Sequence, residues 1–376
     1  IGDSTAFLSA PIHSSVSGTV TNIMELVTAN GTRTQAVLIE TDGKQTVDEN
    51  VKPPIVENHE DFVKAIRASG LVGLGGAGFP AHIKLNPKNI SEVDTLVVNA
   101  AECEPYITSD YRTIMEHSDD VLAGIAAIKK YVGISQVKIA VENNKPKAIE
   151  LLRDLTKDDS SIEVCSLNAI YPKGAEKVAV FETTGRVIKE GMLPSDAGVI
   201  VHNVTSTAFI GQYLRTGMPL VSKCLTVDGS AIKEPKNVIV PIGTHFSDLV
   251  KFCGGYSRTP KMLMMGGPMM GILLFDDAYP VLKNNNALLA FDESLTRKEP
   301  EQACIRCGRC MHACPYHLMP RQIEIASQND DLEKLDKLKV MLCMECGSCS
   351  YVCPAKRDLT FSNKLAKQKL RAAAKK

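Results

Sequence analysis

The stretch Cys304-Ile-Arg-Cys307-Gly-Arg-Cys310-Met-His-Ala-Cys314-Pro315 places four cysteines at fixed intervals near the end of the chain. The same spacing returns as Cys343-Met-Glu-Cys346-Gly-Ser-Cys349-Ser-Tyr-Val-Cys353-Pro354. Each copy reads C-x2-C-x2-C-x3-C-P, the ligand run of iron–sulfur proteins that hold two [4Fe-4S] clusters. We therefore predict two clusters in the C-terminal region.

The ligands of these clusters are expected to cross between the two runs. In two-cluster ferredoxins the fourth thiolate of each run ligates the cluster of the other run. The first predicted site is Cys304, Cys307, Cys310 and Cys353. The second predicted site is Cys343, Cys346, Cys349 and Cys314. Such sharing would make the region one folding unit.

Zinc and disulfides are the alternatives for these eight cysteines. Structural zinc usually takes its cysteines in pairs that a longer loop separates, which is not the spacing found here. Disulfides need an oxidising compartment, whereas free thiolates suit a reducing one. The spacing favours iron–sulfur clusters over both. Four further cysteines stand singly and are interpreted as buried free thiols, namely Cys103, Cys165, Cys224 and Cys253.

Length and charge limit the remaining possibilities. A chain of 376 residues predicts two to four domains. Lys plus Arg and Asp plus Glu are equal at 43 each, and tryptophan is absent, so neither nucleic acid nor an anionic membrane surface is an expected partner. The longest apolar run, Met262 to Phe275, is interrupted by Gly266-Gly267-Pro268 and is too short to span a bilayer. Because the chain starts at Ile1, we expect further sequence before it, and an upstream signal or anchor stays open.

The N-terminal part has the pattern of a small β module. Short alternating apolar segments, such as 16–20 and 36–39, are broken by turn signals at Asn30-Gly31 and Asp42-Gly43. After Pro53-Pro54, a helix is expected from Asn58, whose side chain would cap it. This helix leads into Gly73-Leu-Gly-Gly-Ala-Gly-Phe-Pro80, which formally matches G-x-G-x-x-G. A Rossmann turn follows a strand, however, and here a helix precedes, so only the capacity of the backbone to approach a phosphate or flat ring is inferred.

An α/β layer with a mainly parallel sheet is expected from residue 94 onward. Short apolar runs predict buried strands, and helical patterns separate them. The strands are expected at 95–99, 137–141, 162–167 and 198–202, and the helices at 121–132, 148–155 and 175–183. Ser118 is expected to cap the first of these helices. Ligands bind such sheets beyond the carboxyl ends of the strands. After Gly217 the pattern becomes strand, turn, strand and helix, which suggests a small β-grasp-like unit.

Taken together, the motifs resemble two related families. The glycine-rich string with Lys84, followed by Val98-Asn-Ala-Ala-Glu-Cys-Glu-Pro105, is similar to the FMN and NADH loops of the flavoprotein subunit of respiratory complex I. With the doubled cysteine run, the segments 9–20 and 266–271 resemble the C subunit of the membrane-bound Rnf ferredoxin:NAD oxidoreductase complex. A flavin also suits the chemistry, because it accepts a hydride and releases single electrons.

The resemblance implies a multidomain α/β fold. We expect a barrel-sandwich-like β module, truncated at its start, at 1–50, and a Rossmann-like FMN/NADH-binding domain at 51–216. A β-grasp domain of the SLBB type is expected at 217–261, and a connecting segment at 262–297 would pack back on the α/β core. A helical ferredoxin-like domain with two [4Fe-4S] clusters is expected at 298–376.

The resemblance also implies a set of cofactor-binding residues and no dedicated catalytic acid or base. The backbone at Gly73, Gly75, Gly76 and Gly78 would hold FMN, with Lys84 towards its phosphate and with Asn99 and Glu102 near its ring and ribityl chain. Phe79 and Glu104 would contact the nicotinamide nucleotide. Partial matches add Gly174, Glu176, Lys177 and Asn203, whereas Ala101, Ala175 and His202 depart from the complex I pattern.

The implied function is electron transfer between NAD(H) and other subunits of an Rnf complex that translocates Na⁺ or H⁺. The expected partners are NADH and neighbouring subunits, including a ferredoxin-accepting iron–sulfur subunit, and the expected location is peripheral, at the cytoplasmic membrane face. Two alternatives stay open: an iron–sulfur relay without flavin, and a flavin-dependent dehydrogenase of another substrate.

Overall fold

The computed structural model describes residues 1–29, 31–296 and 299–374. The predicted turn residue Asn30, the predicted domain start at Lys298 and the final residues Lys375 and Lys376 lie outside the described residues. Within the described part, the chain forms three sheets followed by a helical C-terminal unit. None of the described helices is long and apolar enough to cross a membrane.

The N-terminal module is an antiparallel hairpin, as its turn chemistry predicts. Its strands are β1 (Gly18–Val27) and β2 (Arg33–Thr41), with a register shift between Val20 and Asn22. Most residues of the hairpin are exposed, so its attachment comes from specific contacts at its base. Ser15 Oγ donates a hydrogen bond to the carbonyl of Ile242, which ties the module to the β-grasp part of the chain.

A four-stranded parallel sheet forms the centre of the α/β domain and confirms the strands predicted there. The sheet order is β5-β4-β3-β6. The strands are β3 (Thr95–Ala100), β4 (Gln136–Glu142), β5 (Ile162–Leu167) and β6 (Val199–Asn203). Each consists mainly of β-branched and small apolar residues, which suit strands covered on both faces.

In the described chain up to residue 216, seven α-helices flank or follow this sheet. They are α1 (His59–Ala68), α2 (Ala81–Lys84), α3 (Ser109–Glu116), α4 (Ser118–Val132), α5 (Pro146–Thr156), α6 (Glu176–Thr184) and α7 (Val204–Thr216). The predicted cap of α1 is confirmed, because Asn58 Oδ1 accepts from the Asp61 backbone N–H at 3.0 Å. The predicted cap of α4 is wrong: Ser118 is already helical and His117 holds the cap position.

The helix α7 was not predicted, yet it positions the site. It packs so closely on α4 that a Cβ at Gly124 would lie 1.9 Å from the Thr207 carbonyl oxygen, and one at Gly211 would lie 2.3 Å from the Asp120 carbonyl oxygen. Only glycine fits at these two crossings. This contact fixes α7 with its N-terminus at the carboxyl end of β6.

The β-grasp region is larger than the sequence suggests. Its sheet has the order β10-β9-β11-β7-β8, with β11 parallel to β7 and its other pairs antiparallel. The elements are β7 (Ser222–Asp228), β8 (Lys236–Pro241), α8 (Phe246–Phe252), β9 (Met262–Met265), β10 (Ile272–Leu274) and β11 (Ala287–Phe291). The segment 262–297, expected to connect the β-grasp and cluster domains and to pack back on the α/β core, supplies three strands of this sheet. Leu288 and Ala290 of β11 belong to the apolar core beneath α8.

The C-terminal unit consists of short helices around the cysteine runs. They are α9 (Glu293–Thr296), α10 (Arg309–His312), α11 (Pro320–Gln328), α12 (Leu332–Lys337), α13 (Ser348–Tyr351) and α14 (Leu359–Ala373). The sequence predicts a helix at 332–342, but α12 ends at Lys337 and Lys339 adopts a left-handed conformation with φ 55°. The apolar core of the C-terminal unit contains Ile323, Leu335 and Ala366.

Candidate functional site

The glycine-rich loop lies beyond the carboxyl end of β6 and is anchored at both ends. The Gly73 backbone N–H donates to the Phe79 carbonyl at 2.8 Å and closes the loop. The Leu74 N–H donates to Ser206 Oγ at 2.9 Å, which ties the loop to the first turn of α7. The loop and the N-terminus of α7 therefore present backbone donors side by side, an arrangement that suits an anionic group.

The individual glycines of this loop differ in what surrounds them. A Cβ on Gly75 would lie 3.1 Å from the Asn203 side-chain nitrogen, and one on Gly78 would lie 3.2 Å from that of Asn284. Gly76 has φ 125° and open space where a Cβ would be, and its carbonyl accepts from Asn284 Nδ2 at 2.8 Å. The exposed backbone at Gly76 thus leaves room for a flat or phosphorylated ligand.

A buried histidine near the loop lacks hydrogen-bond partners. His202, the penultimate residue of β6, is 3% exposed, and neither ring nitrogen has a partner among the described residues. Burial, with a contribution from the nearby Lys84 charge, lowers the pKa of His202 to about 3, so the imidazole is neutral. A neutral imidazole offers one donor and one acceptor. Such groups seldom remain unpaired in native proteins, so the ring nitrogens of His202 are free to bind an ordered water or a polar ligand.

The predicted phosphate contact Lys84 is engaged within the protein. Its ammonium donates to Glu176 Oε1 at 2.6 Å and to the Val201 carbonyl at 3.3 Å. This ion pair brings together two of the predicted residues. Lys177 donates to the Lys189 carbonyl at 3.2 Å and lies apart from the pair.

The loop that precedes α6 is tied to the end of β3. Asn99 Nδ2 donates to the Gly174 carbonyl at 2.8 Å, and Asn99 Oδ1 accepts from the Ala101 N–H at 3.1 Å. A Cβ at Gly174 would lie 2.3 Å from the Ala101 carbonyl oxygen, so this approach requires glycine. Asn99 thereby holds the two loops together.

The structure uses the Glu102 carboxylate as a helix cap. It accepts from the backbone N–H of Asp110 at 2.7 Å and of Tyr111 at 3.2 Å, in the first turn of α3. Burial raises the pKa of Glu102, and the nearby Asp110 carboxylate adds to this rise. Its side chain is therefore directed to the first turn of α3.

Glu104 connects the α/β domain to the methionine-rich turn. Its carboxylate accepts from the backbone N–H groups of Met269 at 3.0 Å and Met270 at 2.9 Å. A Cβ on Gly267 would lie 2.3 Å from Glu104 Oε2, so the turn closes directly over this side chain. Burial raises the pKa of Glu104. The turn at Gly266-Gly267-Pro268 and the following methionines therefore contact a predicted site residue.

The eight cysteines surround two separate cavities. The first cavity is lined by Cys304, Cys307, Cys310 and Cys353. The second is lined by Cys314, Cys343, Cys346 and Cys349. These are the two crossed sets expected from the sequence. All twelve cysteines lie within the described residues and have free thiols, which leaves the disulfide alternative without support.

The geometry of the cysteines also bears on the zinc alternative. Among the described residues, no three His, Cys, Asp or Glu side chains converge closely enough for a single metal ion. Each iron of a [4Fe-4S] cluster takes one thiolate, so its four ligands spread around an inorganic core. The two cavities fit such a core better than one tetrahedral ion.

The second cavity adjoins the α/β domain. Tyr171 Oη donates to the Cys346 carbonyl at 2.6 Å, and a Cβ on Gly347 would lie 2.9 Å from the Met269 carbonyl oxygen. Through Met269 the contact reaches Glu104. The cavity that contains Cys346 is thus joined to the loops beyond the parallel sheet.

Comparison with known families covers most of the chain. Residues 1–44 match the RnfC barrel sandwich hybrid domain, and residues 66–212 match the Nuo51 FMN-binding domain. Residues 225–273 match the SLBB domain, and residues 297–363 match the 4Fe-4S dicluster domain. The predicted fold class is confirmed, as are the flavin and iron–sulfur cofactors.

Individual relatives decide the family. The C subunit of the Na⁺-translocating ferredoxin:NAD⁺ oxidoreductase complex of Acetobacterium woodii is 41% identical over 379 residues, which cover 100% of this chain and 86% of that protein. This chain belongs to the RnfC family. The proton-translocating counterpart of Clostridium ljungdahlii is 40% identical over 88% of this chain and 73% of its own. The C subunit of the ion-translocating oxidoreductase complex of Rhodobacter capsulatus is 37% identical over 96% and 71%.

Solved structures share the fold of this RnfC-type chain. The NAD⁺-reducing [NiFe]-hydrogenase aligns with TM-scores of 0.55 in its H2-reduced state and 0.57 in its air-oxidised state. Sequence identity is 16% and 17%, and each alignment covers 84% of this chain but 61% of the hydrogenase chain. The likeness at this identity concerns the fold alone.

The backbone of the glycine-rich loop and the polar side chains beside it fit FMN. The loop backbone around Gly76 is open, and the unpaired nitrogens of His202 lie buried beside Lys84. His202 and Asn203 are adjacent polar residues at the carboxyl end of β6. Asn203 Oδ1 caps α7 by accepting from the Ser206 N–H at 3.1 Å. These residues fit a ligand with hydroxyl and phosphate groups.

A buried charged network beneath the site was not anticipated from the sequence. Asp110 is half-buried and accepts from Thr205 Oγ1 at 2.6 Å and from Asn203 Nδ2 at 2.7 Å. Lys223, which is 5% exposed, contributes a nearby positive charge, and burial lowers its pKa to about 8. The only sequence signal was an Asp at the start of an amphipathic helix, which is common on exposed helices as well.

Proposed function

We propose that this chain is the NAD(H)-reactive electron-transfer subunit of a ferredoxin:NAD⁺ oxidoreductase complex of the Rnf type. The observation that carries the proposal is the contact of Tyr171 with Cys346, because it joins the flavin-type loops to a four-cysteine cavity within one chain. FMN, when bound, accepts a hydride from NADH and releases electrons singly, and each iron–sulfur cluster carries one electron.

The residues of the chain serve this function by binding and placement. The backbone at Gly73, Gly75, Gly76 and Gly78 and the N-terminus of α7 bind the anionic end of FMN, and His202 adds a neutral hydrogen-bonding group. Lys84 acts through its pair with Glu176 and keeps a positive charge near that end. Asn99, Gly174 and Asn203 fix the surrounding loops.

The nicotinamide side of the site is proposed at Phe79 and Glu104. The Phe79 ring is 37% exposed at the loop and can stack on a flat ring. The backbone N–H groups of Met269 and Met270 hold the Glu104 carboxylate, and each of its oxygens keeps one lone pair that can accept from a ligand. Glu102 contributes through α3, which it caps.

The order of the two clusters follows from burial. Cys346 and Cys349 of the second site are 9% and 8% exposed and adjoin the α/β domain, whereas Cys307 of the first site is exposed. We propose that electrons from the flavin reach the second site first and leave through the first. Partner subunits, including an iron–sulfur subunit that accepts ferredoxin, would lie beyond it, at the cytoplasmic membrane face.

One titration tests this function. Protein purified without oxygen is analysed for iron and flavin and then titrated with NADH, while absorption and electron paramagnetic resonance are recorded. We expect about eight iron atoms and one FMN for each chain, and NADH should bleach the flavin and then produce reduced-cluster signals. Protein with iron but without flavin, or flavin that NADH does not reduce, would refute the proposal.

A further inference from the structure

Each cysteine run is followed by a helix at the same distance, and the polar residues on these two helices differ. The helix α11 starts six residues after Cys314, and α14 starts six residues after Cys353. Arg321 of α11 lines the first cavity, and Asn363 of α14 lines the second. The two sites can therefore be compared position by position.

In the second site, a buried asparagine donates to a cysteine sulfur. Asn363 Nδ2 lies 3.5 Å from Cys343 Sγ. Asn363 is 1% exposed, and its side-chain oxygen has no partner among the described residues. A thiolate only accepts hydrogen bonds, so the amide must turn its N–H group to the sulfur and leave its oxygen unpaired. Because a leucine would avoid the cost of this buried oxygen, packing alone does not explain an asparagine here.

A second donor on α14 approaches another sulfur of the same site. Thr360 Oγ1 lies 3.5 Å from Cys349 Sγ and 2.9 Å from Ser350 Oγ. Ser350 Oγ accepts from the Thr360 backbone N–H at 2.9 Å, so its own hydrogen is free to be donated to Thr360 Oγ1. The hydrogen of the Thr360 hydroxyl is then available to the Cys349 thiolate.

The first site lacks such side-chain donors. Glu324 occupies the position equivalent to Asn363, ten residues after the last cysteine of its run. Its carboxylate is an acceptor and forms ion pairs with Arg321 and Arg357. Among the described residues, no side chain donates to a sulfur of the first site, and the sulfur of Cys304 accepts from a backbone N–H at 3.4 Å.

Donors at the sulfurs have their largest effect in a buried site. Reduction adds one negative charge to a cluster and its thiolates, and burial disfavours that charge. Cys346 and Cys349 are both almost fully buried. An N–H or O–H group directed at a sulfur stabilises the reduced form more than the oxidised form, and it does so more strongly where water is excluded. Asn363 and Thr360 therefore oppose the effect of burial on the second site.

We propose that Asn363 and Thr360 raise the reduction potential of the second cluster by donating hydrogen bonds to the thiolates of Cys343 and Cys349. Reduction adds one electron to the cluster, while both side chains keep their protons, so no proton is transferred. The second site, which Tyr171 joins to the flavin-type loops, thereby accepts electrons more readily. This last step rests on the proposed function, whereas the change in potential depends only on the cluster.

Redox titration of the iron-loaded protein tests the inference without NADH or flavin. The variants Asn363→Leu and Thr360→Val are reduced stepwise with dithionite and mediators, and electron paramagnetic resonance follows both clusters. The signal that Cys346→Ser alters identifies the second cluster. We expect each variant to make reduction of this cluster about tenfold less favourable, which for one electron lowers its potential by about 59 mV. The other cluster should keep its potential, and the iron content should equal that of the wild type.

Two controls separate hydrogen bonding from general disturbance of the domain. Asn329→Leu makes the same substitution at an exposed position of the C-terminal unit and should leave both potentials as in the wild type. Thr360→Ser keeps the hydroxyl group and should also keep the wild-type potential, in contrast to Thr360→Val.

An unchanged potential of the second cluster in either iron-loaded variant would overturn the inference. An equal shift of both clusters, or the same shift in Asn329→Leu or Thr360→Ser, would overturn it as well. If Asn363→Leu loses its iron, the pair Thr360→Val and Thr360→Ser decides. The expected shifts in a protein whose flavin NADH does not reduce would refute the proposed function and leave this inference standing.

Discussion

The Tyr171 hydroxyl donates a hydrogen bond to the backbone carbonyl of Cys346 across 2.6 Å, although the two residues are 175 positions apart in sequence. Tyr171 is half-buried, and burial raises its pKa well above the usual value, so it remains a donor at any physiological pH. The contact holds the second cysteine cavity against the loops that carry Glu104. This contact sets the distance between a flavin bound at the loops and the second cluster, and the rate of electron transfer depends on that distance.

The first prediction concerns this bond. Replacement Tyr171→Phe keeps the ring but leaves the Cys346 carbonyl without its donor, which destabilises the contact by about 1–3 kcal/mol. We expect flavin and iron contents to be unchanged and reduction of the clusters by NADH to slow several-fold. Stopped-flow absorption separates flavin reduction from cluster reduction and measures this effect.

A matched control is available for this variant. Tyr351 is 79% exposed, and Tyr351→Phe should leave both rates as in the wild type. Equal cluster-reduction rates in Tyr171→Phe and wild type would mean that the bond does not position the cavity.

The second prediction concerns the crossed ligand sets. Because Cys353 lines the first cavity and Cys314 the second, Cys353→Ser should alter the same cluster signal as Cys307→Ser, and Cys314→Ser the same as Cys346→Ser. Flavin content should stay near that of the wild type. Electron paramagnetic resonance of the four reduced variants is the measurement, and pairing within each run instead of across the runs would refute the crossed sets.

Much of the fold was predictable because its signals are local. Short continuous apolar runs, which are typical of strands buried on both faces, predicted every strand of the parallel sheet. The cysteine spacing predicted the two ligand sets that line the two cavities. The helix α7 escaped prediction because Val204, Thr205 and Thr207 have low helix propensity, and the stability of the helix comes from its close packing on α4.

The site was less predictable, since side-chain direction depends on distant contacts. The partners of Glu102 and Lys84, which are the first turn of α3 and Glu176, follow only from tertiary structure. The strand pairing of the segment 262–297 could not be predicted from the sequence for a related reason. Strand pairing of β11 with β7 joins segments separated by a helix and several other strands, and no local pattern specifies such a pairing.

The third prediction concerns the glycine loop. Gly76→Val puts a branched side chain into the open space above the loop and strains a backbone with φ 125°. We expect loss of FMN with full iron content. Flavin released by acid and iron measured by chelation give the two quantities.

The control for this substitution is Gly243→Val, at a glycine with φ 97° and equally open surroundings in the β-grasp region. It imposes comparable backbone strain far from the loop and should keep its flavin. Retention of FMN in Gly76→Val, or equal loss in both variants, would exclude the loop from the flavin site.

The fourth prediction concerns pH. The pKa of His202 is lowered to about 3 by burial, whereas an unfolded histidine titrates near 6.5. Below about pH 6.5 His202 binds a proton in the unfolded chain but stays neutral in the folded chain. The free energy of unfolding therefore keeps its full value above this pH and falls as the pH drops towards 3. Between pH 7.5 and 5.5 this group alone should remove about 1.4 kcal/mol from the free energy of unfolding.

The variant His202→Asn isolates this contribution, because asparagine keeps a donor and an acceptor but does not titrate. Urea unfolding of flavin-depleted protein, followed by far-ultraviolet circular dichroism at both pH values, should show a smaller acid-induced loss for His202→Asn than for wild type. The exposed His117→Gln serves as control and should behave as wild type does. An identical loss in all three proteins would show that His202 takes up a proton in the folded state, which its buried, unpaired ring nitrogens argue against.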